Sequence, residues 1–174
     1  MAVIEVGERV RGADRLAPAV LAAANINPVT RLATDYLNHF NNVVMLLDLV
    51  GDMPEFAEEI LAWRPMSYPD YFAIAHFRER DLAIEAYHAA DPAVRGEFEA
   101  VVAELDAAMA EAQRLLSEGC ETGRPVAAAL KDLARASLQP LIAKASGAVN
   151  APTPEADEIL DNGNAQDTID ELFH

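Results

Sequence analysis

The segment "TDYLNHFNN", Thr34 to Asn42, gathers the polar groups best spaced for chemistry. Asp35 and Asn38 stand three apart, with His39 and Asn42 at adjoining angular positions if the segment is helical at about 100° per residue. A carboxylate and an amide one turn apart can orient a water molecule for attack on an electrophile. The competing reading is a solvated polar face beside an apolar stripe.

The histidines invite a metal reading through His76 with Glu79, Glu85 with His88, and His39 with Asp35. On one helix, however, His76 and His88 lie about 120° apart, and Glu85 points further still from Glu79. They do not converge, so no metal and no cofactor is expected. The single cysteine, Cys120, falls in an expected loop between acids, where a thiolate is disfavoured. No nucleophile elbow, phosphate loop or dinucleotide turn is present. Trp63, Tyr68, Tyr71 and Phe72 could line a pocket, although aromatics at helical spacing more often form core.

These groups must be positioned by helices, because no segment alternates with period two. Asn27 reads as an N-cap and Pro28 as a first helical residue. Val29, Leu32, Tyr36, Phe40, Val43, Leu47 and Val50 then follow at spacings of three and four until Gly51. Asp52 with Glu55 opens a short helix ending before Pro65. Ser67 with Asp70 caps a third helix expected from Tyr68 to about Ala90. Asp91 and Pro92 start a fourth, with Phe98, Val101, Leu105, Ala108, Ala112 and Leu115 as a coiled-coil-like seam and Gly119 as its end.

A last Ala-rich helix is expected from about Pro125 to Ala145, with Leu130, Leu133, Leu138, Leu141 and Ile142 inward and Pro140 as a kink. The short connection "SEGCETGRP" makes these two helices an antiparallel hairpin. The seam closes either within one chain or across a homodimer, and spacing allows both. The fold class is therefore all-α: a helical bundle with a long antiparallel hairpin over 27–147. An N-terminal segment, 1–26, precedes it, and an acidic tail, 148–174, follows.

At 174 residues the chain can bury one real core. Its formal charge of −16 argues against nucleic acid or an anionic membrane as partner, since both demand clustered Lys and Arg. The N-terminal Ala-rich stretch is interrupted by Pro18 and is a weak signal-peptide match. With one cysteine and no disulfide, a cytoplasmic location is expected.

The tail raises the clearest functional signal. From Gly147 to the end it carries prolines and acids but no Lys or Arg, a composition that leaves a segment mobile until bound. It ends in "AQDTIDELF", where Ile169, Leu172 and Phe173 share one face of a helical turn. This peptide resembles the response-regulator-binding peptide of flagellar motor-switch proteins and, more loosely, the tail of the chemotaxis phosphatase CheZ. The match covers Gln166, Ile169, Asp170, Leu172 and Phe173. It implies a short amphipathic helix docking on a CheY-type receiver domain, and hence a regulatory or adaptor role in two-component signalling, in chemotaxis or flagellar control.

Two alternatives stand beside it. CheZ uses a D-x-x-x-Q pair that this chain lacks, but Asp35 and Asn38 resemble in spacing the E-x-x-N/T arrangement of some receiver phosphatases. That resemblance implies catalysis on an aspartyl phosphate, and whether the chain is an enzyme stays open. The other alternative is a structural bundle whose tail meets no partner or folds back on its own body.

Overall fold

The computed structural model describes residues 15–151, and among these every regular element is helical. They are α1 (Pro18–Ala23), a 3-10 turn (Thr34–Leu37), α2 (Asn38–Leu49), α3 (Phe56–Ala62), α4 (Tyr68–Ile74), α5 (Arg80–His88), α6 (Pro92–Thr122), α7 (Ala127–Leu133), a π turn (Ala134–Leu138) and α8 (Gln139–Asn150). No helix among the described residues is long and apolar enough to cross a membrane.

The 31 residues of α6, about 46 Å of helix, form one arm of the hairpin. The continuous run α7, π turn and α8 forms the other. Gly119 lies beside Val126 at one end and Lys144 meets Glu104 at 3.1 Å further along, so the arms are antiparallel. The second helix, α2, packs on the returning arm, and α3 bridges α2 and α6. The helix pair α4 and α5 packs on itself, with α4 also meeting the 3-10 turn.

Local chemistry explains the starts that the sequence announces. Ser67 accepts the Asp70 N–H at 3.2 Å, and its hydroxyl donates to the Asp70 carboxylate at 2.6 Å. Asp91 accepts from Ala93 N–H at 2.8 Å with Pro92 in the first turn of α6. In α6 the buried line is Phe98, Val101, Leu105, Met109, Ala112, Leu116 and Gly119. It drifts from the expected seam because a helix of 3.6 residues per turn slips on a seven-residue repeat, leaving Ala108 and Leu115 half-buried.

Several expectations are corrected. Asn27 caps a turn, not the long helix: its Oδ1 accepts from Val29 and Thr30 N–H, Arg31 takes φ 59°, and α2 begins only at Asn38. Asp52 and Glu55 make no side-chain cap, and α3 starts at Phe56. The helix expected from Tyr68 to Ala90 breaks at Ala75, whose extended backbone lets α5 fold back on α4. A straight helix would hold Tyr68 and Tyr87 about 28 Å apart; here their rings stack at 4.7 Å.

Gly119 does not end α6 either. The helix runs to Thr122, and Gly123 at φ 69° makes the left-handed exit. The returning arm continues past Ala145 to Asn150, with Val149 buried and its carbonyl accepting from Thr30 Oγ1 at 2.6 Å. The disturbance expected from Pro140 takes the form of the preceding π turn. There Gln139 N–H donates to the Ala134 carbonyl, a five-residue step that accommodates the donor Pro140 lacks.

A Cβ added at Gly119 would lie 2.7 and 2.8 Å from the Val126 methyls and 3.1 Å from the Arg124 carbonyl. Alanine gains about 1 kcal/mol of helix propensity over glycine, while overpacking against a branched side chain and backbone costs about 1–3 kcal/mol. Gly119→Ala should therefore destabilise the fold. Gly96→Ala and Gly147→Ala, with nothing within 4 Å of the new atom, should stabilise it by up to about 1 kcal/mol. Urea denaturation separates the two cases; one common sign for all three would show that the hairpin end relaxes freely.

Candidate functional site

Asp35 and Asn38 belong to two different helical forms. Ala33 is extended and its N–H donates to the Tyr68 hydroxyl at 2.9 Å, after which the 3-10 turn carries Asp35 and Asn38 begins α2. Tyr36 and Leu37 anchor the turn in the core, leaving Asp35 half-buried and Asn38 exposed. Asp35 Oδ2 accepts from Asn25 Nδ2 at 2.8 Å, and Asn25 is held at φ 59°. The two candidates bear on one group, the Tyr71 hydroxyl. Burial raises its pKa first and the Asp35 charge adds to this, while a hydrogen bond with Asn38 opposes both.

Beside them a groove of about 360 Å³ opens between α2 and α3, with His39, Asn42, Val43, Trp63 and Tyr71 on its walls and Glu59 at its edge. His39 stacks on Trp63 at 4.7 Å and 27°. Trp63 Nε1 donates to the His39 carbonyl at 3.2 Å, and His39 Nε2 donates to the Arg64 carbonyl at 3.0 Å. The wall is fixed from behind by Gln113 on α6, whose amide donates to the carbonyls of Ile60 at 2.9 Å and Trp63 at 2.8 Å. This surface can seat an apolar side chain against aromatic rings and offer amide hydrogen bonds. It supplies no activated nucleophile.

The remaining candidates disperse. His76 and Glu79 lie in the break between α4 and α5, so the single-helix geometry used to set them against His88 does not apply. Glu85 pairs with Arg15 at 3.3 Å, and His88 ends α5. No group of three His, Cys, Asp or Glu among the described residues could hold a metal ion. Cys120 is not in a loop; it is exposed in the last turns of α6. Of the four aromatics, Tyr68 and Phe72 are core, whereas Trp63 and Tyr71 are half-buried groove walls.

The docking motif, Gln166, Ile169, Asp170, Leu172 and Phe173, lies outside the described residues. A second cleft escaped the sequence reading, between Tyr36, Tyr87, Glu99 and Asp106. Its signal was the pair of carboxylates seven apart on α6, flanking the apolar seam. No protein family, curated protein or solved structure matches this chain.

Burial lowers the His39 pKa below the ordinary 6.5, and the bond to the Arg64 carbonyl opposes this only in part. The unfolded chain thus takes up the proton first. Stability is full above about pH 6.5 and falls as pH drops from there through the folded value, where the loss levels off. Asp106, whose carboxyl burial raises, acts in the opposite sense, because the fold takes up its proton first. His39→Gln keeps a donor for the Arg64 carbonyl but does not titrate, and should flatten the melting-temperature profile between about pH 5 and 7. An unchanged profile would place the imidazole in solvent.

Proposed function

We propose that the protein is a helical adaptor that docks on the receiver domain of a response regulator through its C-terminal peptide. The observation that carries the reading is "AQDTIDELF", with Ile169, Leu172 and Phe173 as apolar anchors on one helical face and Gln166 and Asp170 as polar contacts. Two features of the body support it. Among the described residues the buried core is built from residues between Leu21 and Val149. The last described helix ends at Asn150, with Ala151 in extended backbone.

The 152–164 stretch before the motif can reach about 45 Å when extended. A tether of that kind raises the local concentration of a partner to about the millimolar range. The anchors would fill an apolar groove on the receiver while Asp170 meets a basic rim, the charge arrangement that an acidic chain favours. The phosphatase alternative asks Asp35 and Asn38 to orient the attacking water. Asp35 is half-buried and already accepts a hydrogen bond from Asn25, so the adaptor reading is preferred.

Binding to a panel of purified receiver domains, with and without phosphoryl analogue, tests the proposal. The full chain should bind at least one receiver. Ile169→Ala with Phe173→Ala should weaken that complex at least tenfold, about 1.4 kcal/mol, and leave the melting temperature unchanged. Absence of any receiver complex would overturn the reading, and a marked loss of thermal stability in the variant would instead assign the peptide to the protein's own body. The decay of phosphorylated receiver in the same mixtures tests the alternative, which requires acceleration by the wild type and its loss in Asp35→Ala and Asn38→Ala.

A further inference from the structure

At the connected end of the hairpin a groove of about 340 Å³ runs between the α2–α3 connection, the last turns of α6 and the start of α7, within the size range of small-ligand sites. Its reachable walls are apolar: Pro54 and Pro125 are exposed, and Ala57 and Val126 are half-buried. Two polar side chains join them, Cys120 and Arg124, and both are exposed. Among the described residues Arg124 is the only charged group on the lining.

That arginine stands apart in an acidic chain. Arg15, Arg78, Arg80, Arg95 and Arg114 each pair with a carboxylate, and Arg31 and Arg64 donate to main-chain carbonyls. Among the described residues the Arg124 guanidinium has neither kind of partner, and only its backbone N–H is engaged, by Thr122 Oγ1. Arg135 shares the condition but does not line this groove. A guanidinium in that state keeps its whole fork of donors for an incoming carboxylate, which it can hold through two parallel hydrogen bonds.

Ligand classes can be sorted against this lining. A cation would meet Arg124 and find no acid on the walls. A neutral alkyl molecule would use the walls alone. A small inorganic anion would use Arg124 alone, and a single exposed charge pair contributes little. A phosphate monoester would bring a second negative charge that one guanidinium leaves unbalanced in a chain of net charge −16. A monocarboxylate on an alkyl chain uses both features, with its headgroup on the guanidinium and its chain along the apolar walls. Every methylene taken from water then adds affinity, about fourfold when fully covered.

We propose that this groove is a binding site for a linear alkyl monocarboxylate, its headgroup on Arg124 and its chain along Pro54, Ala57, Pro125 and Val126. The site is separate from the C-terminal peptide and does not rest on what that peptide binds.

Calorimetric titration of the full chain with octanoate, in about 0.15 M salt to screen long-range repulsion by the acidic protein, tests the proposal. One saturable equivalent is expected, with hexanoate and then butyrate each weaker by about threefold or more. Octanol and octylammonium should bind at least about tenfold more weakly than octanoate. Arg124→Met keeps an apolar side chain of similar reach without the charge, at an exposed position where the fold does not depend on it. It should lower octanoate affinity by about tenfold or more. Cys120, the chain's single cysteine, reports the location: saturating octanoate should slow its alkylation by N-ethylmaleimide. The proposal is overturned by an absence of saturable binding, by octanol or octylammonium matching octanoate, by Arg124→Met retaining wild-type affinity, or by an unchanged alkylation rate.

Discussion

Everything in the body turns on how one phenol is buried. Tyr36 has no solvent exposure, and its ring lies within 6 Å, centre to centre, of Phe40, Tyr68, Tyr71 and Phe98. Those partners come from α2, α4 and α6, so a single side chain ties three elements. Edge-to-face geometry with Phe40, Tyr71 and Phe98 suits the ring quadrupole and adds to simple burial. The hydroxyl needs a partner at such depth and finds the Met66 carbonyl in the stretch before α4. Burial drives the phenol pKa well above its usual value, so it stays neutral at neutral pH.

That requirement shapes the backbone around it. An α-helix starting at Pro28 would have to supply regular hydrogen bonds through residues 29–37. Instead, Asn27, Thr30 and Ala33 satisfy their polar groups in other ways, against the local turn, the Val149 carbonyl and the Tyr68 hydroxyl. The irregular stretch is stable because each buried polar group is met from elsewhere in the fold. The opposite end of α2 is governed by close approach: a Cβ on Gly51 would come within 2.9 Å of Ala127 Cβ, just as one on Gly119 would crowd Val126. Two glycines thus allow the hairpin end to close over the C-terminus of α2.

What the sequence disclosed follows from the range of each interaction. The caps at Ser67 and Asp91 act over two or three residues and use side chains whose purpose is visible in isolation. The seam from Phe98 repeats often enough that its period shows through, and so the hairpin was legible with it. Asn27 offered the same cap chemistry, but its outcome depended on Thr30 reaching a carbonyl 119 residues away. The break at Ala75 was hidden for a similar reason. Helical spacing continues through it, and the contacts that the fold-back gains, such as Tyr68 stacked on Tyr87 and Phe72 against Phe77, join residues that local spacing does not bring together. Asp35 and Asn38 were legible as polar neighbours; that Tyr71 stands with them was not, since it arrives from another helix.

The distribution of charge separates body from tail. Within the body, acids are paired or used along helix surfaces, as in the Arg114 bridges to Glu111 and Glu118 one turn to either side on α6. Such exposed pairs contribute little stability, and they leave α6 acidic, since its carboxylates outnumber its two arginines, Arg95 and Arg114. From Glu155 to Glu171 the chain adds acids with no Lys or Arg beside them. Repulsion between such a segment and a body that is itself net acidic opposes packing the two together, and the cost rises with each further carboxylate brought close. An apolar triplet at the end of that segment, Ile169, Leu172 and Phe173, then has a surface to bury and an electrostatic reason to bury it elsewhere. On the proposed reading, a partner with a basic rim would remove the repulsion and cover the apolar triplet together, so composition and motif point to the same kind of complex.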